Sequence, residues 1–503
     1  MRSTFSGLEL ARRALQTQQK AVNVVGHNVA NANTKGYSRQ EVVTQATGPY
    51  TSPSNVRPTG AGQIGSGVKV ESIQRQFDNH IAEQYRLENS LESQWQQKHN
   101  GMEQIEAIFN EPSDSSLRRA VDDFWSALQQ MTTEPTELSS RAIVRQSAIA
   151  MVDTFQTMDR QLEQVSKDYD ESIKADVSQA NSKIRGIADL NERIVKIKAM
   201  GDSPNDLMDQ RDVLIDELTE VINVKTEHHD NGDLTVQFPL GEGDYVTIID
   251  GVTSGKNFGQ FGYDIDVDNP GKGQLSVKEA SELPIDDVDA QEIDRKQVAH
   301  GKIKGMFEAQ DEVDTYRRYL TDYASEYTNA INEQHREGFD LNGNEGIDFF
   351  VNIGNEEEFE ISTLAVNPAI VDELSLIAAA GKGPDEDGEF AEGNGENALA
   401  MAELRHENSM EFKGADVTFD GFYRSVVAEL GISTNESYQM LENQKSLAYQ
   451  FEMRQEEVRG VSLDEEMTKM IQYQHSYVAA SRLTNTIDEM IDTIVNRLGV
   501  VGR

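Results

Sequence analysis

Four aspartates are the side chains in this sequence whose spacing best suits a metal ion. Asp206, Asp209, Asp212 and Asp216 recur every three or four residues, a spacing that places them on one face of a helix. Carboxylate oxygens bind divalent cations, but calcium sites gather them with a glycine-turned loop. No such loop occurs within 203–218. We therefore interpret this face as solvated helix surface rather than as a metal site.

Two histidine patterns are also incomplete as metal sites. His228 and His229 are adjacent, and neighbouring side chains of a strand point to opposite faces, so the two rings do not converge on one ion. His406 and Glu407 begin the H-E-x-x-H pattern of zinc peptidases. Met410 stands where that pattern needs its second histidine. The sequence therefore predicts no zinc site, and we expect no other cofactor.

A calcium-loop pattern and a phosphate-loop pattern each lack an essential part. Residues 340–344 resemble the opening of a calcium loop, but Glu345 and Val351 occupy the positions that need glycine and glutamate. The stretch GAGQIG at 60–65 matches the glycine spacing of a dinucleotide site. No apolar strand precedes it, and an alternating stretch rather than a helix follows. Neither pattern supports an enzyme.

The composition excludes further kinds of site and partner. The 503 residues include no cysteine, which excludes disulfides and thiol nucleophiles. The chain has 87 acidic and 46 basic residues, a net charge of −41, so nucleic acid and anionic membranes are poor partners. No run of about 18 apolar residues occurs, and no cleavable leader pattern opens the chain. We therefore expect neither a membrane span nor a cleaved secretion signal.

The negative charge is concentrated in the middle of the chain. Residues 1–45 carry a net charge of +4 and residues 461–503 a net charge of −2, which leaves −43 for the residues between them. Nearly neutral ends suit close packing of chain segments, whereas the middle repels itself and favours solvation. Adaptation to a saline or alkaline habitat is an alternative explanation of this acidity.

Residues 3–40 carry a pattern typical of a helix that packs along one narrow seam. Two seven-residue series run through it, Leu8, Leu15, Val22 and Val29, and, three positions later, Ala11, Gln18, Val25 and Ala32. This alternation of four and three residues predicts a coiled-coil-like seam, which needs a second helix to cover it.

The last stretch of the chain carries the matching pattern. Its two series are Met470, Tyr477, Thr484, Ile491 and Leu498, and Tyr473, Ala480, Ile487, Ile494 and Val501. Ser462 followed by Glu465 is a capping-box signature that predicts the start of a helix. We predict that the two ends pair in one element and that the rest of the chain is inserted between them.

The hydrophobic period changes along the inserted part. It is mainly helical over 77–221, with breaks at 111–115, 132–137 and 201–204. It then alternates as in strands, and Asn231-Gly232 predicts a type I′ hairpin.

A long helix is predicted over 301–340, followed by a glycine-rich reversal anchored by Phe349 and Phe350. The helical pattern resumes over 419–453. Residues 41–66 are polar and contain Pro and Gly, which predicts a linker.

We therefore predict a mainly α fold with a β insertion: paired terminal helices, an elongated helical bundle and a small outward β domain. The predicted divisions are a terminal helix 1–45, a first body part 46–223, the β domain 224–297, a second body part 298–460 with an acidic irregular segment 351–418, and a terminal helix 461–503.

The stretch GHNVANANTKGYSRQ at 26–40 resembles the signature of bacterial flagellar axial proteins. Its GYSRQ ending is similar to the flagellar hook-associated protein 1 family, whereas rod and hook proteins usually diverge after the glycine. The signature residues are Asn28, Asn31, Asn33, Thr34, Gly36, Tyr37, Ser38, Arg39 and Gln40. The resemblance extends to both ends and most of the body, and it is weakest over the β segment and 351–418.

This signature suits the end of a helix. Its asparagines can bond free carbonyls and tolerate left-handed backbone, and Gly36 permits a turn that a side chain obstructs. Tyr37 supplies a ring for packing, and Arg39 supplies a rigid fork of donors.

The resemblance implies a secreted structural protein of the flagellum, not an enzyme, that joins the hook to the flagellin filament. Implied partners are further copies of the chain in a ring or helical layer, the hook protein, a second junction protein or flagellin, and an export chaperone. The N-terminal assembly seam would comprise Leu8, Ala11, Leu15, Val22, Val25 and Val29. The C-terminal seam, also the chaperone face, would comprise Met470, Tyr473, Tyr477, Ala480, Ile487, Ile491, Ile494 and Leu498. The alternatives are a hook or rod protein and a secreted adhesive protein acting through its β domain.

Overall fold

Helices form most of the described chain. The computed structural model describes residues 5–48, 65–109, 116–241, 243–251, 258–267, 269–281, 288–354, 359–383 and 391–497. The helices in these ranges are α1 (Ser6–Ala30), α2 (Asn79–Phe109), α3 (Leu117–Thr133), α4 (Leu138–Ala199), α5 (Asn205–Val221), α6 (Lys302–Glu337), α7 (Pro368–Asp372), α8 (Glu396–Glu403), α9 (Phe419–Arg459) and α10 (Leu463–Asp492). The predicted break at 201–204 falls between α4 and α5, and the break at 132–137 covers the last two residues of α3 and its connection to α4. The break at 111–115 lies outside the described residues.

Short antiparallel strands make up most of the remaining regular structure in the described ranges. They are β1 (Gln40–Ala46), β2 (Val68–Arg75), β3 (Lys225–His228), β4 (Leu234–Gly241), β5 (Asp244–Ile249), β6 (Gln260–Asp264), β7 (Gln274–Lys278), β8 (Gln291–Ile293), β9 (Phe350–Asn352), β10 (Leu364–Val366), β11 (Met410–Phe412) and β12 (Ala415–Val417). The ladders are β1–β2, β3–β4–β5, β6–β7–β8, β9–β10 and β11–β12. The predicted fold class, mainly α with a β insertion, is confirmed.

The body is a bundle in which α2 packs against α6 and α9, while α4 packs against α3, α5 and α6. Aromatic side chains fill its centre. The ring of Tyr327 on α6 lies 5.1 Å from that of Trp125 on α3 and 5.2 Å from that of Phe419 on α9. Gly101 lets α2 approach α6, since a Cβ there would lie 2.6 Å from Ala309 Cβ. One continuous hydrophobic core therefore spans the bundle.

The β insertion is built onto α4 and shares this core. Phe261 exchanges backbone hydrogen bonds with the side chain of Asn181 on α4, and Tyr263 donates a hydrogen bond to buried Asp170. The inward residues of both three-stranded sheets, such as Leu275, belong to the same cluster of buried side chains as the helices. The insertion is thus anchored along its apolar face.

The first hairpin of the insertion forms where it was predicted, but its turn differs in type. The backbone N–H of Gly232 donates to His229 O at 2.9 Å, and that of His229 donates to Asp233 O at 3.0 Å. Gly232 has a φ of +90°, whereas Asn231 does not have positive φ. A type I′ turn needs positive φ at both central residues. The loop is instead a turn closed by one left-handed glycine.

The segment predicted to be irregular and acidic is more ordered than its composition indicates. Over 351–418 the described chain includes short strands and helices, and buried Ile361, Leu364, Ile370 and Met401 join the core. The acidic residues obscured this apolar pattern in the sequence. Residues 355–358 and 384–390, which hold much of the acidity, lie outside the described residues.

The stretch predicted as a linker contains a strand. β1 pairs with β2 in a two-stranded hairpin with a register shift between Val43 and Thr44. The prediction was wrong for 41–46. Apolar and polar residues alternate only weakly there, and the strand that pairs with this segment follows a long connection. Residues 49–64, including most of the GAGQIG pattern, lie outside the described residues.

His335 at the end of α6 holds the chain reversal that follows, in which Phe349 and Phe350 are buried as predicted. Its Nε2 accepts the backbone N–H of Ala378 at 2.8 Å, so the proton of the neutral ring is on Nδ1, which donates to Ile347 O. Burial lowers the pKa of His335 to about 4. The ring is therefore neutral at pH 7.

We predict that His335 contributes a pH-dependent term to stability. Its pKa is about 4 in the folded state against an ordinary 6.5, so between these values the unfolded chain binds a proton that the folded chain does not. The free energy of unfolding then falls as the pH is lowered through this window, by at most about 1.4 kcal/mol per pH unit. Denaturant unfolding at several pH values should show a smaller slope in His335→Gln. Exposed His475 provides the control: His475→Gln should keep the wild-type slope. Equal slopes in wild type and His335→Gln would contradict the prediction.

Candidate assembly site

The two terminal helices form an antiparallel pair. A Cβ built on Gly7 would lie 3.1 Å from Ile487 Cδ1, so these residues are in contact near the start of α1. Near its end, Asn28 Nδ2 donates to Glu466 Oε2 at 2.9 Å. α1 and α10 therefore run in opposite directions, and the predicted pairing of the chain ends is confirmed.

Alanines of α1, together with Ala480 and Tyr473 of α10, occupy the centre of this pair. The two contact positions are 21 residues apart on α1 and 21 apart on α10. Because the spacing is the same on both helices, Ala14 lies level with Ala480 and Ala21 lies level with Tyr473. Ala21 and Ala480 are 4% and 9% exposed. Small side chains let the two helix axes approach closely.

On α1 the buried stripe lies to one side of the predicted seam. Ala11 and Val25 are buried. The other predicted seam residues are only half-buried: Leu8, Leu15, Val22 and Val29. The sequence pattern selected the large apolar residues, whereas α10 lies over the small residues one position before them.

On α10 the predicted positions are distributed between the pair and the surface. The buried or half-buried ones are Met470, Tyr473, Ala480, Ile487 and Ile491. Tyr477 and Ile494 are 41% and 46% exposed. Leu498 lies outside the described residues.

One side of the helix pair is apolar, and none of the described residues covers it. The β1–β2 hairpin covers the opposite side, where Gly67 lies against Leu10 and Arg39 binds Glu465. With about 100° between successive residues of each antiparallel helix, the half-buried leucines and valines of α1 face away from the hairpin. The same geometry places four residues of α10 beside them, each roughly half exposed: Leu463, Met467, Ile471 and Val478. We call this surface the open apolar side.

Asn28, from the signature, fastens α1 to two other segments. Its Nδ2 donates to Gln40 O as well as to Glu466, and its Oδ1 accepts the Tyr37 hydroxyl at 2.8 Å and the Gln40 N–H at 3.0 Å. Both donors and both lone pairs of this buried amide are therefore used. The side chain joins the end of α1 to the start of α10 and to β1.

The turn after α1 rests on α5. Gly36 has a φ of +77°, and a Cβ there would overlap the Val213 side chain. The N–H of buried Ser38 donates to Asp209 Oδ2 at 3.0 Å. The N–H of Arg39 donates to Arg459 O at the end of α9. We call this turn, the start of α5 and the α9–α10 connection the joint.

The remaining signature asparagines meet the expectation only in part. Asn31 Nδ2 donates to His27 O and so satisfies a carbonyl at the helix end, as predicted. Asn33 and Thr34 are exposed. None of the signature asparagines has positive φ, because Gly36 makes the left-handed turn for the segment.

The aspartates of α5 contradict the interpretation as solvated surface. Arg75 Nη1 binds both Asp209, at 3.0 Å, and Asp212, at 2.5 Å. Arg86 Nε binds Asp216 at 2.6 Å. Arg75 comes from β2 and Arg86 from α2, and both are largely buried. Only Asp206 is exposed. The helix presents its acidic face to two arginines of the same chain, which spacing within α5 could not reveal.

Charge pairing, not solvent, keeps Asp212 ionised. Burial by itself would raise the pKa of Asp212, but Arg75, Arg86 and Arg211 outweigh it and hold the pKa below its usual value. The cluster links β2, α2 and α5 directly beneath the joint. The turn is thereby supported by a rigid, paired set of charges.

Sequence reasoning missed Glu466 and Arg75 as parts of this site. Glu466 is 1% exposed, and its only signal was a carboxylate at a heptad position otherwise occupied by apolar residues. Arg75 follows an alternating strand pattern at a position expected to be polar. Neither residue has a neighbour in sequence that indicates its partner.

The site offers packing surfaces and hydrogen bonds rather than reactive groups. Among the residues that the structure describes, no three His, Asp or Glu side chains are placed to hold a metal ion. Across the same residues, no helix has the length and apolarity needed to cross a membrane.

The paired chain ends and the helical body inserted between them all match families of flagellar structural proteins. Family models match accordingly. "Flagella basal body rod protein" matches residues 8–37, and "Flagellar basal body rod FlgEFG protein C-terminal" matches residues 456–498. "Flagellar hook-associated protein FlgK helical domain" matches residues 102–350.

Relatives that match over the full length of the chain indicate which family within this class it belongs to. The chain is 32% identical to flagellar hook-associated protein 1 of Bacillus subtilis over 100% of both chains. It is 25% identical to the protein of that name from Salmonella typhimurium over 97% of this chain and 98% of the relative. The solved flagellar hook junction protein FlgK from Burkholderia pseudomallei shares the fold, with a TM-score of 0.64, 14% identity, and coverage of 75% of this chain and 100% of that one. The chain belongs to the flagellar hook-associated protein 1 family, which consists of structural proteins of the bacterial flagellum.

Gly36→Val should disrupt the joint. A β-branched residue at φ +77° is strained and would overlap Val213, for a combined cost of about 2–4 kcal/mol. Hydrogen exchange at the amides of residues 36–40 should become faster. Gly26→Ala is the control, because a Cβ at Gly26 meets nothing within 4 Å and alanine favours the helix. Unchanged exchange in the valine variant would show that the turn accommodates a side chain.

Asp212→Ala should be strongly destabilising, because it leaves Arg75 and Arg86 buried with fewer partners. Breaking a buried ion pair in this way costs about 3–5 kcal/mol. Exposed Asp202 allows a control with the same loss of charge, and Asp202→Ala should change stability by no more than about 0.5 kcal/mol. Denaturant midpoints measure both effects. Equal midpoints for the two variants would mean that solvent or other groups compensate the arginines.

Proposed function

We propose that this chain joins the hook to the flagellin filament, and that it assembles by burying the open apolar side of its terminal helix pair against neighbouring subunits. The observation that carries this proposal is the open apolar side itself. An apolar strip on the surface of a single chain favours association. Its position on the chain ends, outside the core of the body, suits a protein whose body folds alone and whose ends assemble.

The distribution of charge supports the same division. The ends carry +4 and −2, whereas the rest of the chain carries −43. Copies packed side by side repel each other least when nearly neutral segments are closest together. We therefore place the terminal pairs innermost in a ring or helical layer and the acidic bodies outside.

The partners follow from this position. The hook protein would contact the layer on one side, and a second junction protein or flagellin on the other. Secretion through the flagellar export channel would precede assembly. An export chaperone that covers the C-terminal seam must compete with α1, because Tyr473, Ala480 and Ile487 face α1 in the free chain.

The combined substitutions Ile471→Asp and Val478→Asp test the assembly surface. Both residues lie on the open apolar side, about half exposed, so the variant should keep its α1–α10 pair. In an assembled layer, however, two carboxylates would be buried without partners, at a cost of several kcal/mol. We expect cells with this variant to lose their filaments and to release flagellin into the medium. Electron microscopy and flagellin blots measure both effects.

Thr468→Asp with Gln472→Asp provides the matched control. It adds the same charge at exposed polar positions of α10 and removes no apolar surface. This variant should retain more filaments than the first. Normal filament number in Ile471→Asp with Val478→Asp would show that the open apolar side is not the assembly surface.

A further inference from the structure

The facing positions of the terminal helices repeat every seven residues. On α1 they are Gly7, Ala14, Ala21 and Asn28, and on α10, from the far end of the pair, they are Ile487, Ala480, Tyr473 and Glu466. Two helices with matched seven-residue repeats can also pair after sliding by seven residues, because apolar layers meet again. The apolar layers alone therefore do not fix the alignment of this pair.

The fourth layer is different. Asn28 is 0% and Glu466 1% exposed, and the two are joined by a 2.9 Å hydrogen bond. Lys469, one turn along α10, lies 3.4 Å from the other oxygen of the carboxylate. In these positions the carboxylate accepts one of the two amide donors of Asn28, and Gln40 and Tyr37 satisfy the rest of the amide.

We propose that Asn28 and Glu466 lock the register of the terminal helix pair. Sliding α10 by seven residues in one direction would place the Glu466 carboxylate level with Ala21. Sliding in the other direction would place the Asn28 amide level with Tyr473. Either shift leaves a buried polar group without its partner. A buried polar pair can specify register in this way while contributing little to net stability.

Other contacts near the joint do not supply this lock. Arg39 binds Glu465 at 3.2 Å, but the carboxylate is 64% exposed, and exposed pairs of this kind are weak. The contacts of Gly36, Ser38 and Arg39 hold the chain beyond residue 35, and residues 460–462 hold the start of α10 close to the end of α9. A change of register therefore moves α1, which is connected to these contacts through residues 31–35. The proposal concerns the free chain and does not rest on the junction function.

Engineered cysteines can test the register, because the chain has none of its own. Ala14→Cys combined with Ala480→Cys reports the observed register. Ala14→Cys with Tyr473→Cys or with Ile487→Cys reports the two shifted registers, since disulfides form only between facing residues. In the full-length chain we expect the first pair to cross-link at least about tenfold faster than the other two, a difference of 1.4 kcal/mol or more.

The decisive background is the double substitution Asn28→Leu with Glu466→Leu. It replaces the polar layer by an apolar one, so the helix pair should remain while the preference for the first cysteine pair falls to about threefold or less. Glu466→Gln preserves the hydrogen bond and should keep the wild-type preference. Fluorescence of Trp95 and Trp125, both in the body, confirms that each variant is folded.

Two results would overturn the proposal. Cross-linking of the first cysteine pair alone, at the wild-type preference, in the double leucine background would show that another feature sets the register. Failure of all three pairs to cross-link in that background, with the body folded, would show that Asn28 and Glu466 are needed for pairing itself rather than for its alignment.

Discussion

The paired terminal helices α1 and α10 must be attached to a much larger body without sharing its core. α1 and α10 bury few side chains, and none of them belongs to the continuous core of the body. The pair is therefore held where α1 ends and α10 begins. There Asn28 uses all four of its hydrogen-bonding positions. Those bonds reach α10, β1 and the turn that leads to the body, so one buried amide positions three segments.

Beneath that amide, paired charges provide the attachment that apolar packing provides elsewhere. Asp209 holds both Arg75 and the backbone of Ser38, which connects the turn to β2 and α5. Buried ion pairs contribute little net stability, because desolvation offsets attraction, but they tolerate few alternative arrangements. Ion pairs have strict geometry, so they fix one orientation of the small helix pair on the large bundle. A few apolar contacts at the same place would allow several orientations.

The acidic surface and the apolar ends divide the chain by function. The body has its own core, formed by the bundle and by the β insertion built onto α4, and it carries a net charge of −43 against +2 for the two ends together. Within the described ranges, the terminal pair leaves apolar surface uncovered on the side away from the β1–β2 hairpin. The acidic bodies of neighbouring copies repel one another, whereas the apolar surfaces of their terminal helix pairs attract. This combination suits a layered assembly with the chain ends at its centre.

Most of the local structure, and the family, could be predicted from the amino-acid sequence. Helix spans, the strand segment after α5, the capping of α10 by Ser462 and the left-handed Gly36 follow from periodicity and from single-residue preferences, which act over a few residues. The residue types of the signature at 26–40 are enough to indicate the family. Only the tertiary structure decided which face of each helix is buried. The partners of the α5 aspartates lie more than a hundred residues away in the chain, and the partner of Asn28 lies 438 residues away. A sequence window that shows four regularly spaced carboxylates or a large-residue heptad cannot show which arginine or helix will meet them, because burial of a charge or a seam depends on the segment that covers it.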